Sequence, residues 1–523
     1  MRSATRSVLP VVLALSALPA AAQLTGIGAT LWSQASPGID GDPVSDDRLG
    51  GATVSGDFDG DGYADVACSA LLDGTPRSGS VHVLYGGPAG LSSVGSQVWR
   101  QDTPGVPGES EEEDLFGWSL AVGDFDGDAF DDLAIGIVED LGFRFERPGA
   151  VLVLYGSANG LTASGAQVWD EDTYDVLDDH SRFGEALAAA DFDDDGFDEL
   201  AIGIPGLAID AEAEAGVVVI FRGSPSGLTA DLSPVLHQGL PSVQDDAEAG
   251  DRFGFSLTAG YYDDDTAADL VVGVPYEDFD GLVDAGIVQV FYGSVGGLGF
   301  SDGEIWHQDV AGVNGTAETD DRFGTALASG DPYGRGIDAL VVGVSNEAIG
   351  AEAAAGAVHV LFGGPSGLTA TGSLLYFQGS PSIPGTATAG ARFGYTLAFG
   401  DFDGDFREDL AIGARGEIVG GNASAGAVTV LYGSPVGLGL GEAEVWTQDS
   451  TGVPGTAEVL DLFSYSLAAG DFAADGSTDL AVGVLLDEVA AVRAGSFNVL
   501  QGLALFRDGF ESGDTSAWTT TVQ

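Results

Sequence analysis

Four short stretches of this sequence crowd enough carboxylate into one place to hold a metal ion. They are Gly56 to Ala67 (GDFDGDGYADVA), Gly123 to Gly136 (GDFDGDAFDDLAIG), Ala190 to Gly203 (ADFDDDGFDELAIG) and Gly400 to Gly413 (GDFDGDFREDLAIG). Counted from the first aspartate, side-chain oxygens stand at positions 1, 3, 5 and 9. The first loop supplies Asp57, Asp59, Asp61 and Asp65, and the second Asp124, Asp126, Asp128 and Asp132. The third supplies Asp191, Asp193, Asp195 and Glu199, and the last Asp401, Asp403, Asp405 and Asp409. Carboxylates packed this closely repel one another unless a cation sits among them. A large, hard cation that takes about six to eight oxygens suits the set, which points to Ca²⁺. The carbonyl at position 7, from Tyr63, Phe130, Phe197 or Arg407, is a further candidate ligand. Gly60, Gly127 and Gly404 at position 4 permit the tight turn. An EF-hand also uses positions 1, 3 and 5, but it needs a glutamate at position 12 and flanking helices. Position 12 here is Cys68, Ile135, Ile202 or Ile412, so that reading fails.

Three worn copies grade the expectation. One has Tyr261 at position 1 but keeps Asp263, Asp265 and Asp269; another keeps Asp471, Asp475 and Asp479 but has Ala473 at position 3. Each is expected to bind weakly. The remaining copy runs Asp331, Tyr333, Arg335, Ala339, and its arginine at a ligand position predicts a metal-free loop. The expected complement is Ca²⁺ at about four strong sites and one or two weaker ones.

The loops recur at a fixed interval. Their first residues fall at 57, 124, 191, 261, 331, 401 and 471, a period of 67 residues at first and 70 afterwards. A period of this length marks one supersecondary block that buries its apolar face against its neighbours. Each block has four parts. The first is a Val-Trp-x-Gln segment, as at Val98 to Gln101, Ile305 to Gln308 and Val445 to Gln448. The second is a strand opening on Arg-Phe-Gly, at Arg182 to Gly184, Arg252 to Gly254, Arg322 to Gly324 and Arg392 to Gly394. The third follows the acidic loop and reads Leu-Ala-Ile-Gly or Leu-Val-Val-Gly. The fourth is of the form Gly-x-Val-x-Val-Leu-Tyr-Gly, as at Gly79 to Gly86 and Gly149 to Gly156. Alternating β-branched and aromatic residues without helical periodicity read as strands.

Four short antiparallel strands in each of seven blocks predict an all-β, seven-bladed β-propeller. A linear β-solenoid is the competing arrangement, but its repeats are usually far shorter. The chain opens on Trp32 to Gln34 before any acidic loop and ends its last block on Gly495 to Leu500. The first strand therefore lacks a blade and the last blade lacks an outer strand. Residues near 30 to 35 are expected to complete blade seven, which pairs two otherwise exposed edges.

Residues 1–22 read as an export signal. Arg2 and Arg6 precede an apolar run from Val8 to Leu18, and Ala20-Ala21-Ala22 offers a cleavage site before Gln23. Residues 23–502 would form the propeller and 503–523 a C-terminal tail, either disordered or related to sorting. The product is expected outside the cell or at its surface, monomeric and without membrane insertion. The formal net charge is -64, and all 17 cations are arginine. Such a field repels nucleic acid and anionic membrane. Disorder is excluded by the 44% hydrophobic content; with 82 glycines it suits many short strands and tight turns. Cys68 is the single cysteine, so no internal disulfide stiffens the chain, and a small buried residue is its expected role.

Phe-Gly, then Gly-Asp-Phe-Asp-Gly-Asp, then Asp-Leu-Ala-Ile-Gly resembles the FG-GAP repeat of integrin α-subunit propellers and their bacterial relatives. Gly203-Ile204-Pro205 and Gly273-Val274-Pro275 are similar to its Gly-Ala-Pro element. The resemblance covers about residues 24 to 502. It implies a seven-bladed propeller with Ca²⁺ in hairpin loops on one rim and ligands meeting the opposite face. It transfers no ligand.

A catalytic reading finds little support. No Gly-x-Ser-x-Gly elbow occurs, and His82, His180, His237, His307 and His359 are scattered without zinc-site spacing. The connections before the Phe-Gly strands differ most between blocks: Gly108 to Asp114, Glu171 to Ser181, Val243 to Asp251 and Gly379 to Gly390. Varied loops on a rigid scaffold are where recognition resides. The expected function is a calcium-binding adhesion module for a protein or glycan ligand at a propeller face. The alternatives are a propeller-based hydrolase or lyase acting on an extracellular polymer, and a purely structural surface protein.

Overall fold

The computed structural model describes residues 23–138, 149–170, 181–230, 235–240, 243, 245–299, 303–439, 441 and 443–503. The expected export signal, the tail from residue 504 and positions 171–180 of one varied connection lie outside the described residues.

In every blade but the seventh, chain order and spatial order coincide across the sheet. In blade six, Phe393–Gly400 is innermost, followed by Asp409–Ala414, Ala427–Leu431 and Glu444–Trp446. The pairing is antiparallel throughout, with Gly400 opposite Asp409 across the acidic loop. Second strands such as Asp132–Ile137 and Asp409–Ala414 are buried at every residue. That is why they read as unbroken apolar runs: both of their faces meet a neighbouring blade. The same four-stranded order appears in five sheets, and a sixth sheet of four strands takes its outer strand from the start of the chain. In blade three, three described strands pair, and Leu236 bridges to Val218 where the outer strand belongs. Among the described residues there is no helix.

The innermost strands close a ring. Leu49–Gly56 packs on Phe116–Gly123, then Ala186–Ala190, Ser256–Gly260, Ala326–Gly330, Phe393–Gly400 and Phe463–Gly470 follow, and the last returns to the first. The molecule is a seven-bladed β-propeller. Its seam is sealed as the sequence predicts: Thr25–Trp32 runs antiparallel to Ser496–Gln501 and forms the outer strand of blade seven. Leu31 faces Asn498 and Trp32 faces Phe497; the strand begins at Thr25, earlier than expected, with a register irregularity between Thr25 and Thr30.

The core lies between blades. One cluster joins Val341, Val358 and Tyr376 of blade five to Phe393, Leu410 and Ile412 of blade six. Another joins Ala481 and Phe497 of blade seven to Val66 and Leu84 of blade one, so the seam is packed like any other junction. Cys68 belongs to this cluster, fully buried, and burial pushes its thiol up to about 12. It is the small buried residue the sequence implied.

The Arg-Phe-Gly segments depart from expectation. They are not the body of the inner strand but the turn that leads into it. Arg182, Arg252, Arg322 and Arg392 all have left-handed φ between 57° and 60°. In blades three, four and five the strand starts only at Ala186, Ser256 and Ala326; in blade six it carries an irregularity between Phe393 and Thr396. The following glycine is required by close approach. A Cβ on Gly394 would lie 2.7 Å from the Ala357 carbonyl oxygen, and one on Gly254 2.8 Å from that of Val217. Phe183, Phe253, Phe323 and Phe393 are each fully buried, worth about 1.5–3 kcal/mol apiece. The Val-Trp-x-Gln segment is also shorter than it reads in blades one, four and six, where the strand stops at the tryptophan. The glutamine lies beyond it; Gln308 is buried and Gln378 half-buried, and they donate to Glu347 and Glu417 at 2.7 Å.

Candidate metal centres

The hairpin between the first and second strands of each blade carries the acidic loop, so all seven loops emerge on one rim. The turn is held by its own carboxylates. Asp57 Oδ1 and Oδ2 accept from the amides of Asp61 and Gly62, at 3.1 and 3.0 Å, and Asp401 does the same for Asp405 and Phe406. This leaves the chain tightly wound with several side-chain oxygens facing inward.

Carboxylates converge in four loops. The groups are Asp57, Asp59 and Asp61; Asp124, Asp126 and Asp132; Asp191, Asp193 and Glu199; and Asp401, Asp403 and Asp409, each with oxygens within 4.8 Å of one another. Among the described residues no other loop forms such a group. Asp65 in the first loop and Asp128, Asp195 and Asp405 at position 5 of the others lie outside these triads. Asp405 is paired instead with Arg407, 2.7 Å from its guanidinium. Asp193 has Arg222 at 3.3 Å. Tyr63, Phe130, Phe197 and Arg407 each donate their amide to the position-5 carboxylate at 3.0–3.1 Å.

Position 9 is the buried corner of the loop. Asp65, Asp132 and Asp409 each accept two amides: that of position 2 and that of the glycine ending the third strand. Burial is the largest influence on their protonation, opposed by these hydrogen bonds and reinforced by neighbouring carboxylates. It raises Asp65 to about 7, Asp132 to about 8, Glu199 to about 8 and Asp409 to about 9. The worn loops show the same corner, with Asp269 and Asp479 raised to about 7.

The donor set fits a hard cation. Buried oxygens of Asp126, Asp193 and Glu199 have no hydrogen-bond partner, and neither has Asp479 Oδ2 in the worn seventh loop. Buried oxygens normally find partners, and a cation among them would supply one. Of the worn loops, the fourth keeps Asp263 hydrogen-bonded to the amide of Asp265, while Asp471 and Asp475 brace the seventh. In the fifth, Asp331 wraps the turn and Arg335 lies 4.4 Å over the ring of Tyr333, so a guanidinium stands where the other loops carry a carboxylate.

A second set of acidic residues at this rim is not apparent from metal-loop reasoning. The side chain at position 8 crosses to the preceding blade. Asp131 accepts the amide of Asp57 at 2.7 Å, Asp198 that of Asp124 at 2.9 Å, Asp338 that of Tyr261 at 2.9 Å and Glu408 that of Asp331 at 2.7 Å. The main chain repeats the tie at all seven junctions, from Asp131 N to Asp57 O through to Ala64 N to Asp471 O. The sequence did contain a signal, four acidic side chains immediately before position 9, but nothing along the chain shows that they face another blade.

At the opposite rim the varied connections are also tied down. Asp114, Asp251, Asp321 and Asp461 cap the amides of Glu111, Glu248, Glu318 and Glu458 at 2.5–2.6 Å. Burial is the main cause of the raised values of Asp251 and Asp321, both about 7, and of Glu277, about 9. Among the described residues no histidine joins a metal-ligating group; His82 and His359 are buried and lowered to about 4 by desolvation.

The comparisons with known proteins agree with this architecture. The FG-GAP repeat matches residues 49–84, 116–137, 183–221 and 393–431, the four blades whose loops hold carboxylate triads. Integrin alpha-PS2 of Drosophila melanogaster is 31% identical over 245 residues, 45% of this chain and 16% of the relative. Phosphatidylinositol-glycan-specific phospholipase D of Rattus norvegicus is 32% identical over 181 residues, 34% of this chain and 21% of that protein. Integrin alpha pat-2 of Caenorhabditis briggsae is 31% identical over 304 residues, 54% of this chain and 22% of the relative. The matches thus span about a fifth of the length of these curated relatives. Among solved structures, the rhamnogalacturonan lyase YesW is similar at 12% identity and a TM-score of 0.36, covering 89% of this chain and 92% of that one, too loose a likeness to bear on chemistry. The chain carries FG-GAP repeats in four places, and its seven-bladed propeller fits an integrin α amino-terminal-like domain.

Proposed function

We propose that this chain is an exported propeller, stabilised by Ca²⁺ at one rim, that binds a macromolecular or surface ligand and catalyses nothing. The observation that carries the reading is the division of labour between rims. Four equivalent loops at one rim hold carboxylate triads, and in the second and third of them buried oxygens lack partners. Their repeated acidic residues are accounted for by metal rather than by chemistry on a substrate. At the other rim the connections differ from blade to blade on a rigid ring, the usual arrangement for recognition. The likeness to integrin α chains supports a binding role. Export is supported by the pattern of residues 1–22. Bound Ca²⁺ would neutralise the triads of loops one, two, three and six, with the position-7 carbonyls of Tyr63, Phe130, Phe197 and Arg407 as further ligands. Loops four and seven would bind more weakly.

Within the varied connections, Asp245 is a poorer recognition residue than its neighbour Asp246. It shares a hydrogen-bonded network with Gln238 and the buried Glu277, so it braces its connection. The test is a glycan and protein array probed with the calcium-loaded chain. Saturable capture by one ligand class is expected. Turnover of a polysaccharide or phosphoester that one axial substitution abolishes would replace the reading with a catalytic one.

A further inference from the structure

The left-handed arginine turns recur around the axis. Arg48, Arg182, Arg252, Arg322 and Arg392 open the inner strands of blades one, three, four, five and six, with φ of 57–61°. Arg415, from the connection after the second strand of blade six, joins them. In a chain of net charge -64 this is a local reversal of sign.

The arginines are not equally satisfied. Arg182 pairs with the buried Glu185 at 2.8 Å, and Arg252 reaches Glu214 at 2.6 Å. Arg322 is 3.5 Å from Asp284, and its Nε is buried without a partner. Arg392 and Arg415 form no ion pair among the described residues. The guanidinium of Arg415 is held 3.5 Å over the ring of Tyr395, while those of Arg252 and Arg322 flank Tyr276 at 4.8 and 4.7 Å. A guanidinium pinned by its face keeps its N–H edge free to donate.

Three of these groups share one cavity. A space of about 180 Å³ is lined by Arg322, Arg392, Arg415, Tyr276, Tyr395 and Asn346, with small polar and apolar neighbours and no carboxylate. It adjoins an axial channel of about 320 Å³, to which all seven inner strands contribute and which carries no charge. Burial, together with the neighbouring charges of Arg415 and Arg322, makes Arg392 the less willing to hold its proton. Arg392 and Arg415, gathered in a half-closed space with no carboxylate in its lining, are most simply balanced by a bound anion.

We infer that this axial mouth binds the carboxylate of an acidic sugar. The inference rests on the reading of the propeller as a binding module and adds to it a site and a ligand class. Planar guanidinium edges match a carboxylate in bidentate fashion. Asn346 and the hydroxyls of Thr325 and Ser345 suit the remaining hydroxyl groups of one sugar ring, and the cavity has room for about six waters at ~30 Å³ each, the scale of such a ring. The overall negative field disfavours a polyanion, so the ligand should present isolated acidic groups.

Calorimetric titration of the calcium-loaded full chain with sodium glucuronate tests the inference. Glucose serves as the neutral control and N-acetyl-aspartate amide as the peptide-like carboxylate. Saturable binding of glucuronate is expected, with none of glucose. R392Q and R415Q should each weaken it about tenfold or more, while R335Q at the other rim leaves it unchanged. Circular dichroism would confirm that each variant is folded, and if one of the pair were not, the other would carry the test. No binding of glucuronate, equal binding by the variants, or tighter binding of the aspartate amide would each overturn the inference. Array capture that persists in R392Q would leave the binding-module reading standing without this site.

Discussion

At one end of each inner strand the chain turns back through an acidic hairpin; at the other, in five blades, it arrives through a left-handed arginine. In blade six the two ends are separated by the eight residues of Phe393–Gly400, roughly 25 Å of strand. The acidic end is self-contained. Its candidate ligands fall within nine consecutive residues, so each loop would act without the others. The basic end is collective. No single blade makes a cavity there, and Arg322, Arg392 and Arg415 meet because blades five and six are neighbours in a closed ring. One repeat thus supplies a clamp used many times and a mouth made once.

Calcium removal should break the comparison most forcefully. A site filled at a hundredfold excess over its Kd adds about 2.7 kcal/mol, so four filled sites add roughly 10 kcal/mol. Differential scanning calorimetry with calcium and with chelator should show well-separated transitions, and coincident curves would end the metal reading. Because each clamp is local, Asp403→Ala should remove one ion, with a loss of roughly 2–3 kcal/mol. Native mass spectrometry would count the ions, and loss of every ion at once would show that the loops are coupled.

Asp131→Ala separates the clamp from the tie between blades. It leaves the half-buried amide of Asp57 without its side-chain partner, which costs about 1 kcal/mol, yet the ion count should stay at the wild-type value. A melt combined with ion counting distinguishes the two roles.

The far rim should dominate the pH dependence once calcium fixes the charge of the loops. Asp251 and Asp321 are raised to about 7 and Glu277 to about 9, chiefly by burial. A raised folded value means that the native state holds protons the unfolded chain has released. The stabilisation is complete below the ordinary carboxylate range and is lost as pH rises through the folded values. The calcium-saturated protein should therefore melt a few degrees lower at pH 8 than at pH 5.5, with a shallower slope in Asp321→Asn. A flat profile would mean that these groups ionise freely.

The smallest effect is expected at the mouth. Arg392 has like-charged neighbours and no ion pair, so R392Q should stay within about 1 kcal/mol of wild type. A larger loss in a denaturant melt would make the arginine a structural strut rather than a ligand-binding group.

The acidic end and the basic end also differ in how far they could be read. The blade count follows from the spacing of the loops, and the strand order within a blade follows from short apolar runs joined by tight turns. The seam is equally legible, because Trp32 lacks a blade and Phe497 lacks an outer partner, and only one pairing satisfies both. The triads could be listed because local chemistry leaves its ligands adjacent in sequence. Which of four candidate oxygens converge could not. That choice depends on side-chain placement: Asp405 is paired with Arg407 and stands outside its triad, whereas Asp193 stays in its own beside Arg222.

The sequence by itself determined a seven-bladed, all-β propeller with acidic hairpins at a fixed period, because period-two strands, turn residues and contiguous carboxylates are properties of short segments. Tertiary structure decided the rest. Only ring closure sets Asp131 against the amide of Asp57, 74 residues away, and only the folded chain shows that the arginine of Arg-Phe-Gly is left-handed. Contacts between blades depend on where the ring carries each segment, and separation along the chain holds no record of that.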